Sequence, residues 1–324
     1  MTTSSFETAA EPAADINAIV AGLRALHVRS TLDGKASTAL NTVLNNHATG
    51  ARKLILAILG PSGVGKTETI AKLLSGERVK GKVISLVAPS PASVKTLGVS
   101  VVNKLGQPFT RRQMDEQAFL DMVKAGLGAA ETLVLHVDEA QHLLTSGGDI
   151  TLTRTLDALK LLVQDPHKVV LVLTGTDRVA EVFARDDQLH ERTVYVEANR
   201  LSVNEDSSYT GKVLRLLCSK AGLEMGWVDA DRLPQRITHA GRTFGLAVSL
   251  IIDAIELELR AGRKILTRES FATVYARDRD VGGDLNPFVA IDFLAIDPSR
   301  RTAANNDKED RPKAKRGRPK SARR

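Results

Sequence analysis

Apolar and polar positions follow two different periods along this chain, and the change from one to the other divides it. Five short apolar runs, Lys53–Leu59, Lys82–Ala88, Thr132–Val137, Lys168–Leu173 and Val194–Glu197, read as strands. Their nearly continuous apolar character fits a sheet buried on both faces. Between them, apolar residues three and four apart predict helices over Thr67–Leu74, Ser93–Leu105, Gln113–Ala125 and Leu152–Leu162. Strands alternating with helices make a five-stranded parallel α/β sheet, with the ligand crevice at the carboxyl ends of the strands. Ahead of the sheet, Ile16, Ile19, Val20, Leu23 and Leu26 predict one amphipathic helix, and Ser37 to Asn46 a second. After Asn199 the pattern turns helical throughout, over Val203–Ala221, Asp229–Thr238, Thr243–Arg260 and Thr267–Arg277. Periodicity is lost from Val281. The expected organisation is therefore a disordered start at 1–14, a helical lead-in at 15–50, an α/β core at 51–200, an all-helical lid at 201–278 and a tail at 279–324.

The first strand runs straight into chemistry. Gly60-Pro61-Ser62-Gly63-Val64-Gly65-Lys66-Thr67 has the spacing G-x-x-x-x-G-K-T and sits between a strand-like and a helix-like run, the context such a phosphate loop requires. The glycines let the backbone curl and aim successive N–H groups at phosphate oxygens, with a helix N-terminus behind. Lys66 then reaches the β- and γ-phosphates of ATP, and Thr67 ligates Mg²⁺. About 70 residues further on, the third strand ends in Asp138-Glu139. Asp138 is expected to hold the Mg²⁺ and Glu139 to activate the attacking water. At the end of the fourth strand a hydroxyl can sense the γ-phosphate, with Thr176 favoured over Thr174. Leu26 to Arg29 either border the adenine or are ordinary helix packing. No N/T-K-x-D guanine signal is present, which with the acid pair and helical lid sets a GTPase or small-molecule kinase aside.

Charge changes the picture only once it is located. Residues 300–324 hold eleven Lys/Arg and three Asp/Glu, whereas the other 299 residues hold 34 basic and 35 acidic, so the basic character lies in the tail. That asymmetry points to an appended polyanion-binding segment. Within it, Arg316-Gly317-Arg318-Pro319 resembles an AT-hook, whose extended core lies in a narrow A·T minor groove; the other reading is a basic tail that binds phosphate without preference. Arg111-Arg112, before an acidic helix start, reads as a solvated helix end, with a nucleic-acid contact as the alternative. The single Cys218 leaves no internal disulfide and reads as a core residue, as does Trp227. His136, His142 and His239 show no metal-like grouping and read as structural. No apolar run reaches bilayer length and the acidic N-terminus lacks a signal-peptide core, so no membrane partner and a cytoplasmic, nucleoid-associated location are expected.

With these residues in hand, the chain over about 15–278 resembles the AAA+ ATPases, and within them the TniB or TnsC-like transposition ATP-binding proteins. The likeness rests on GPSGVGKT at 60–67, LVLHVDEAQHLL at 133–144, VLVLTGT at 170–176 and the stretch running to Arg192. The resemblance implies an intersubunit site in which an arginine of one subunit meets the γ-phosphate of its neighbour; Arg192 holds the matching place, with Arg185 and Arg200 as rivals. It also implies a lid arginine, for which Arg242 is the candidate, although Leu246 stands where an arginine is expected if Gly245 is the matching glycine. Relatives assemble on duplex DNA as ATP-dependent rings or filaments and pass a target to a transposase, together with a targeting adaptor. Lys95, Lys104, Arg111 and Arg112 are then the DNA-contacting candidates of the pore. A DNA-bound loader or scaffold, for example of a replicative helicase, is the alternative function.

Overall fold

The computed structural model describes residues 11–106, 115–145, 148–165, 167–226 and 232–299. Arg111, Arg112, Trp227 and the hook at Arg316–Pro319 lie outside the described residues. The chain resolves into two compact units, one of Leu26–Leu201 with Thr243–Leu246, the other of the remaining segments.

In the first unit, α2 (Thr31–Thr49) precedes β1 (Ile55–Leu59), α3 (Lys66–Leu74), β2 (Val83–Val87), α4 (Val94–Lys104) and α5 (Glu116–Ala129). There follow β3 (Val134–Asp138), α6 (Gln141–Thr145), α7 (Asp149–Leu162), β4 (Val170–Gly175), α8 (Arg178–Phe183), α9 (Asp187–Glu191) and β5 (Thr193–Glu197). The five strands form one parallel sheet in the order β2-β3-β4-β1-β5. All of β1 is buried because its residues alternate between two layers. Ile55, Ala57 and Leu59 pack with α4, α5, α7 and α8, while Leu56 and Ile58 face α2 and α3. That alternation is why the strand sequence reads as an unbroken apolar run.

Several elements differ from their sequence signal for local reasons. The second helix starts at Thr31, six residues before the apolar period shows, because Ser30 and Asp33 form a capping box. The polar stretch ARDDQLHERT contains α9, whose first turn is held by the Asp186 carboxylate accepting from the Leu189 amide at 3.1 Å. Helix α6 is one turn long, too short for a period to register.

The second unit contains α1 (Glu11–Ala25), α10 (Val203–Ala221), α11 (Leu233–Gly241), most of α12 (Phe244–Arg260) and α13 (Arg268–Arg279). Helix α1 thus groups with the lid helices, and Arg24 pairs with Asp253 and Glu256 at 3.0 Å each. Among its described residues the lid is helical except for a parallel ladder of two-residue strands, β6 (Glu224–Met225) with β7 (Ile265–Leu266), which is too short to leave an alternating pattern. Cys218 is buried, and burial pushes its thiol up to about 12, as a core residue should be.

Residues 281–299 show no helical period yet fold onto this unit. Phe288 stacks on Phe271 with ring centroids 5.4 Å apart, and both Phe288 and Phe293 are buried. Arg236 holds the strap: its buried guanidinium donates to the carbonyls of Pro287 at 2.5 Å and Ala290 at 2.8 Å, and its centre lies 4.5 Å from the Phe293 ring. Replacing Arg236 with leucine strands two buried carbonyls without donors, so thermal unfolding should show a loss of about 2–3 kcal/mol. Limited proteolysis of that variant should cut first within 285–299; an unchanged melting temperature and cleavage pattern would rule out the clamp.

Candidate nucleotide site

The phosphate loop leaves β1 at Gly60, whose amide donates to the Gly175 carbonyl at 3.1 Å. Only glycine fits there: φ is 151°, and a Cβ would stand 2.1 Å from the Ala198 carbonyl oxygen. Pro61, Ser62 and Gly63 carry the turn outward, Val64 anchors it in the core, and Gly65 with φ 96° opens α3. From outside the motif, the Gly245 amide donates to the Gly63 carbonyl at 3.0 Å. A Cβ on Gly245 would lie 2.5 Å from that oxygen.

Lys66 is 9% exposed and its ammonium donates to the carbonyls of Gly60 at 2.7 Å and Pro61 at 2.9 Å. Burial holds its pKa below the ordinary lysine value, against the pull of Glu139, Asp138 and Asp177. Thr67 donates to Asp138 Oδ2 at 2.9 Å, which brings the two expected metal ligands together. The other oxygen of Asp138 accepts from Thr174 at 2.5 Å and from the Glu139 amide at 2.9 Å. Burial disfavours the Asp138 charge, but these donors outweigh it and hold its carboxyl below the ordinary carboxylate range.

This pair fits magnesium. Both donors are hard oxygens, one an ionised carboxylate, and Mg²⁺ takes one or two such protein ligands while phosphates and water fill the rest. Among the described residues no cluster of three or more His, Cys, Asp or Glu could hold a metal independently.

Glu139 turns out of the strand with φ 53°. Its carboxylate accepts a short hydrogen bond from the Gln141 amide, whose own oxygen accepts from the Thr176 amide at 3.2 Å. Gly175 makes room for this bridge, since a Cβ there would lie 2.6 Å from Gln141 Oε1. Thr174 and Thr176 therefore play different parts: Thr174 engages Asp138 by its hydroxyl, and Thr176 holds Gln141 by its backbone. Gln141 and Gly245 entered the sequence reading only through the family likeness, with no role at the site assigned to either. Thr243 is a third such residue, a buried hydroxyl without a hydrogen-bond partner among the described residues, near the space a Gly63 Cβ would fill. Near α3, His27 approaches Glu68 at 3.0 Å and Asp33 at 2.7 Å, tying the 26–29 segment to the helix behind the loop.

The remaining candidates stand on other elements, and Lys104 lines a cleft together with Thr67 and Asp138. Arg192 follows α9 and immediately precedes β5, with Thr193 level with Ile55 and Glu197 level with Leu59. Since a strand rises about 3.3 Å per residue, Arg192 is about 16 Å along the sheet from the phosphate-loop end. Arg200 follows β5 at the same end as the loop, and Arg185 is exposed after α8. Arg242 caps α11 with φ 60°. Lys95 and Lys104 are exposed at opposite ends of α4. A cleft of about 840 Å³ on the β2 side is lined by Thr67, Ser85, Asn103, Lys104, His136 and Asp138, among others.

Residues 49–183 match the family described as AAA domain, a span that holds the phosphate loop, Asp138-Glu139 and both threonines. An AAA-type ATPase domain therefore occupies this part of the chain. Similar solved structures include Cdc6p of Pyrobaculum aerophilum, with 18% identity, TM-score 0.57 and coverage of 81% of this chain and 70% of that one. The Aeropyrum pernix ORC1 protein in complex with DNA aligns with 14% identity and TM-score 0.59, covering 82% and 69% of the two chains. The Aeropyrum pernix ORC2 protein in ADPNP–ADP complexes gives 16% identity and TM-score 0.51, covering 76% and 68%. At these identities the likeness is one of fold, a parallel-sheet AAA+ core with a helical C-terminal region. No curated protein sequence matches the chain.

Two outcomes follow from the geometry. Gly245→Ala pushes against the Gly63 carbonyl, and a loop displaced by even part of an ångström should lower ATP affinity about tenfold or more without unfolding the protein. Unchanged affinity in a calorimetric titration would remove Gly245 from the site. Asp186 pairs with Lys160 at 2.9 Å; burial opposes its charge, but the Lys160 and Leu189 contacts hold its carboxyl below the ordinary range. Because its folded pKa is depressed, it contributes stability above the unfolded carboxylate value, lost as pH falls through the folded one. Asp186→Asn should thus lower the melting temperature at pH 7 and make its acid limb shallower; an equal drop at every pH would contradict this.

Proposed function

We propose that this chain is an ATP-hydrolysing, DNA-binding assembly factor of the TniB or TnsC-like kind, which oligomerises on duplex DNA and directs target choice or transposase recruitment in transposition. The observation that carries the ATPase part is the Thr67–Asp138 hydrogen bond with Glu139 beside it, which joins the phosphate loop to the end of β3. In this reading the loop amides and Lys66 bind the triphosphate, with the Lys66 ammonium exchanging the Gly60 and Pro61 carbonyls for phosphate oxygens. Thr67 and Asp138 hold the Mg²⁺, which when bound neutralises charge on the β- and γ-phosphates. Glu139, oriented by Gln141, accepts the proton of the attacking water. Thr176 senses the γ-phosphate side of the site through the Gln141 bridge.

Arg192 supplies the arginine that meets a neighbour's γ-phosphate. Its position at the amino end of β5, away from its own loop, supports action on a second copy. Few basic residues per subunit suffice to grip DNA when an oligomer repeats them, and Lys95, Lys104, Arg111 and Arg112 are the candidates, with Arg316–Pro319 as a separate hold on an A·T groove. The fold likeness to an ORC1 protein solved with DNA is in keeping with duplex DNA as the polyanion. Transposase and adaptor as partners rest on the sequence likeness alone. No helix of the described residues is long and apolar enough to cross a membrane.

Glu139→Gln keeps the shape and hydrogen bonding of the side chain while removing its basicity. Turnover should fall by about 10²-fold or more while ATP binding persists, and the variant should stay on DNA after wild-type protein has dissociated. Equal phosphate release from the two proteins would sink the assignment of Glu139. Dissociation from DNA at wild-type rates despite lost turnover would instead sink the coupling of hydrolysis to release.

A further inference from the structure

His136 sits in the middle of β3 on neither the loop nor the acid pair, and it is 4% exposed. Both of its ring nitrogens are engaged across neighbouring strands. Nδ1 is 2.8 Å from the Ser85 hydroxyl on β2, and Nε2 is 3.0 Å from the Thr174 hydroxyl on β4. Thr174 in turn donates to Asp138 Oδ1 at 2.5 Å, and Thr67 donates to Oδ2 of the same carboxylate at 2.9 Å. A chain of hydrogen bonds therefore crosses three strands and ends on the residue that faces the phosphate loop.

The direction of that chain is fixed by counting protons. An ionised carboxylate only accepts, so Thr174 commits its single hydroxyl proton to Asp138. What Thr174 turns toward His136 is then a lone pair, and Nε2 must carry the ring proton. Nδ1 is left as an acceptor and takes the Ser85 proton. Every polar atom in the chain is satisfied by one arrangement alone, Ser85 to His136 to Thr174 to Asp138.

Resting on the proposed ATPase reading, we infer that His136 is a positioning residue for the Asp138 carboxylate: through Thr174 it fixes the rotation of that group so that Oδ2 faces Thr67. Without a donor at Nε2, the Thr174 hydroxyl is free to turn, and the Asp138 oxygen it holds is less tightly oriented. Outer partners of metal-holding side chains commonly act in this way.

The test uses the full chain. Long-range ¹H–¹⁵N spectra of nucleotide-free protein should show a ring proton of His136 on Nε2; a proton on Nδ1 alone would overturn the inference whatever the chain binds. Binding of a fluorescent ATP analogue is then followed against Mg²⁺ concentration. For His136→Leu, the half-saturating Mg²⁺ should rise about tenfold while affinity in EDTA stays at the parent value. His136→Gln, whose amide can donate to Thr174, should remain within about threefold of the parent. A leucine variant with the parent's Mg²⁺ requirement, or a glutamine variant as impaired as leucine, would overturn the inference. A parent that binds no ATP analogue would fail the ATPase reading on which it rests, while the tautomer still decides the hydrogen-bond chain.

Discussion

The hydrogen bond from Thr67 to Asp138 is the contact on which the site depends. It links two segments about 70 residues apart in sequence, the start of α3 and the end of β3, and it exists only because the sheet sets β3, β4 and β1 side by side in that order. Parallel pairing places all three carboxyl ends on one edge. Gly60 bonded to Gly175 then fixes where the loop leaves that edge. The sheet therefore sets the phosphate loop and the acid pair at the same height, and short side chains complete the closure. A lysine buried at the same place binds the loop's own carbonyls, which keeps its charge satisfied.

Around that contact the polar groups form an ordered set. Asp138 receives three donors, Glu139 is held by Gln141, and Gln141 is held by the backbone of Thr176. Burial disfavours the Asp138 charge, but its donors hold that carboxyl below the ordinary range. The structural demand for small residues extends beyond the motif glycines: Gly175 clears Gln141, and Gly245 clears Gly63. Both constraints act on backbone that the motif does not include.

Much of this was legible in the sequence, and the reasons are physical. Strands buried on both faces must be apolar throughout, so β1, β3 and β4 announced themselves, and a phosphate loop requires its glycines and Lys-Thr at fixed spacing. Asp138 and Glu139 followed from their place at a strand end. Less visible were features that arise across strands. His136 looked like a core histidine because its partners Ser85 and Thr174 are 51 and 38 residues away, and only the register of β2, β3 and β4 brings them together. Gln141 was read only as part of a family wording. One-turn helices and two-residue strands are shorter than the periods that reveal them, and the 281–299 strap is held by Arg236 and two buried phenylalanines rather than by any repeat.

In the proposed reading, the ATPase site built on the Thr67–Asp138 contact is completed by Arg192 of a second copy, a residue that stands at the far end of the sheet from its own loop. Phosphate release from Mg·ATP per chain, measured over a wide range of protein concentration with duplex DNA present, tests it most directly. Turnover per chain should rise with concentration to a plateau as copies assemble. Turnover that is constant per chain at every dilution, or absent altogether, would contradict it.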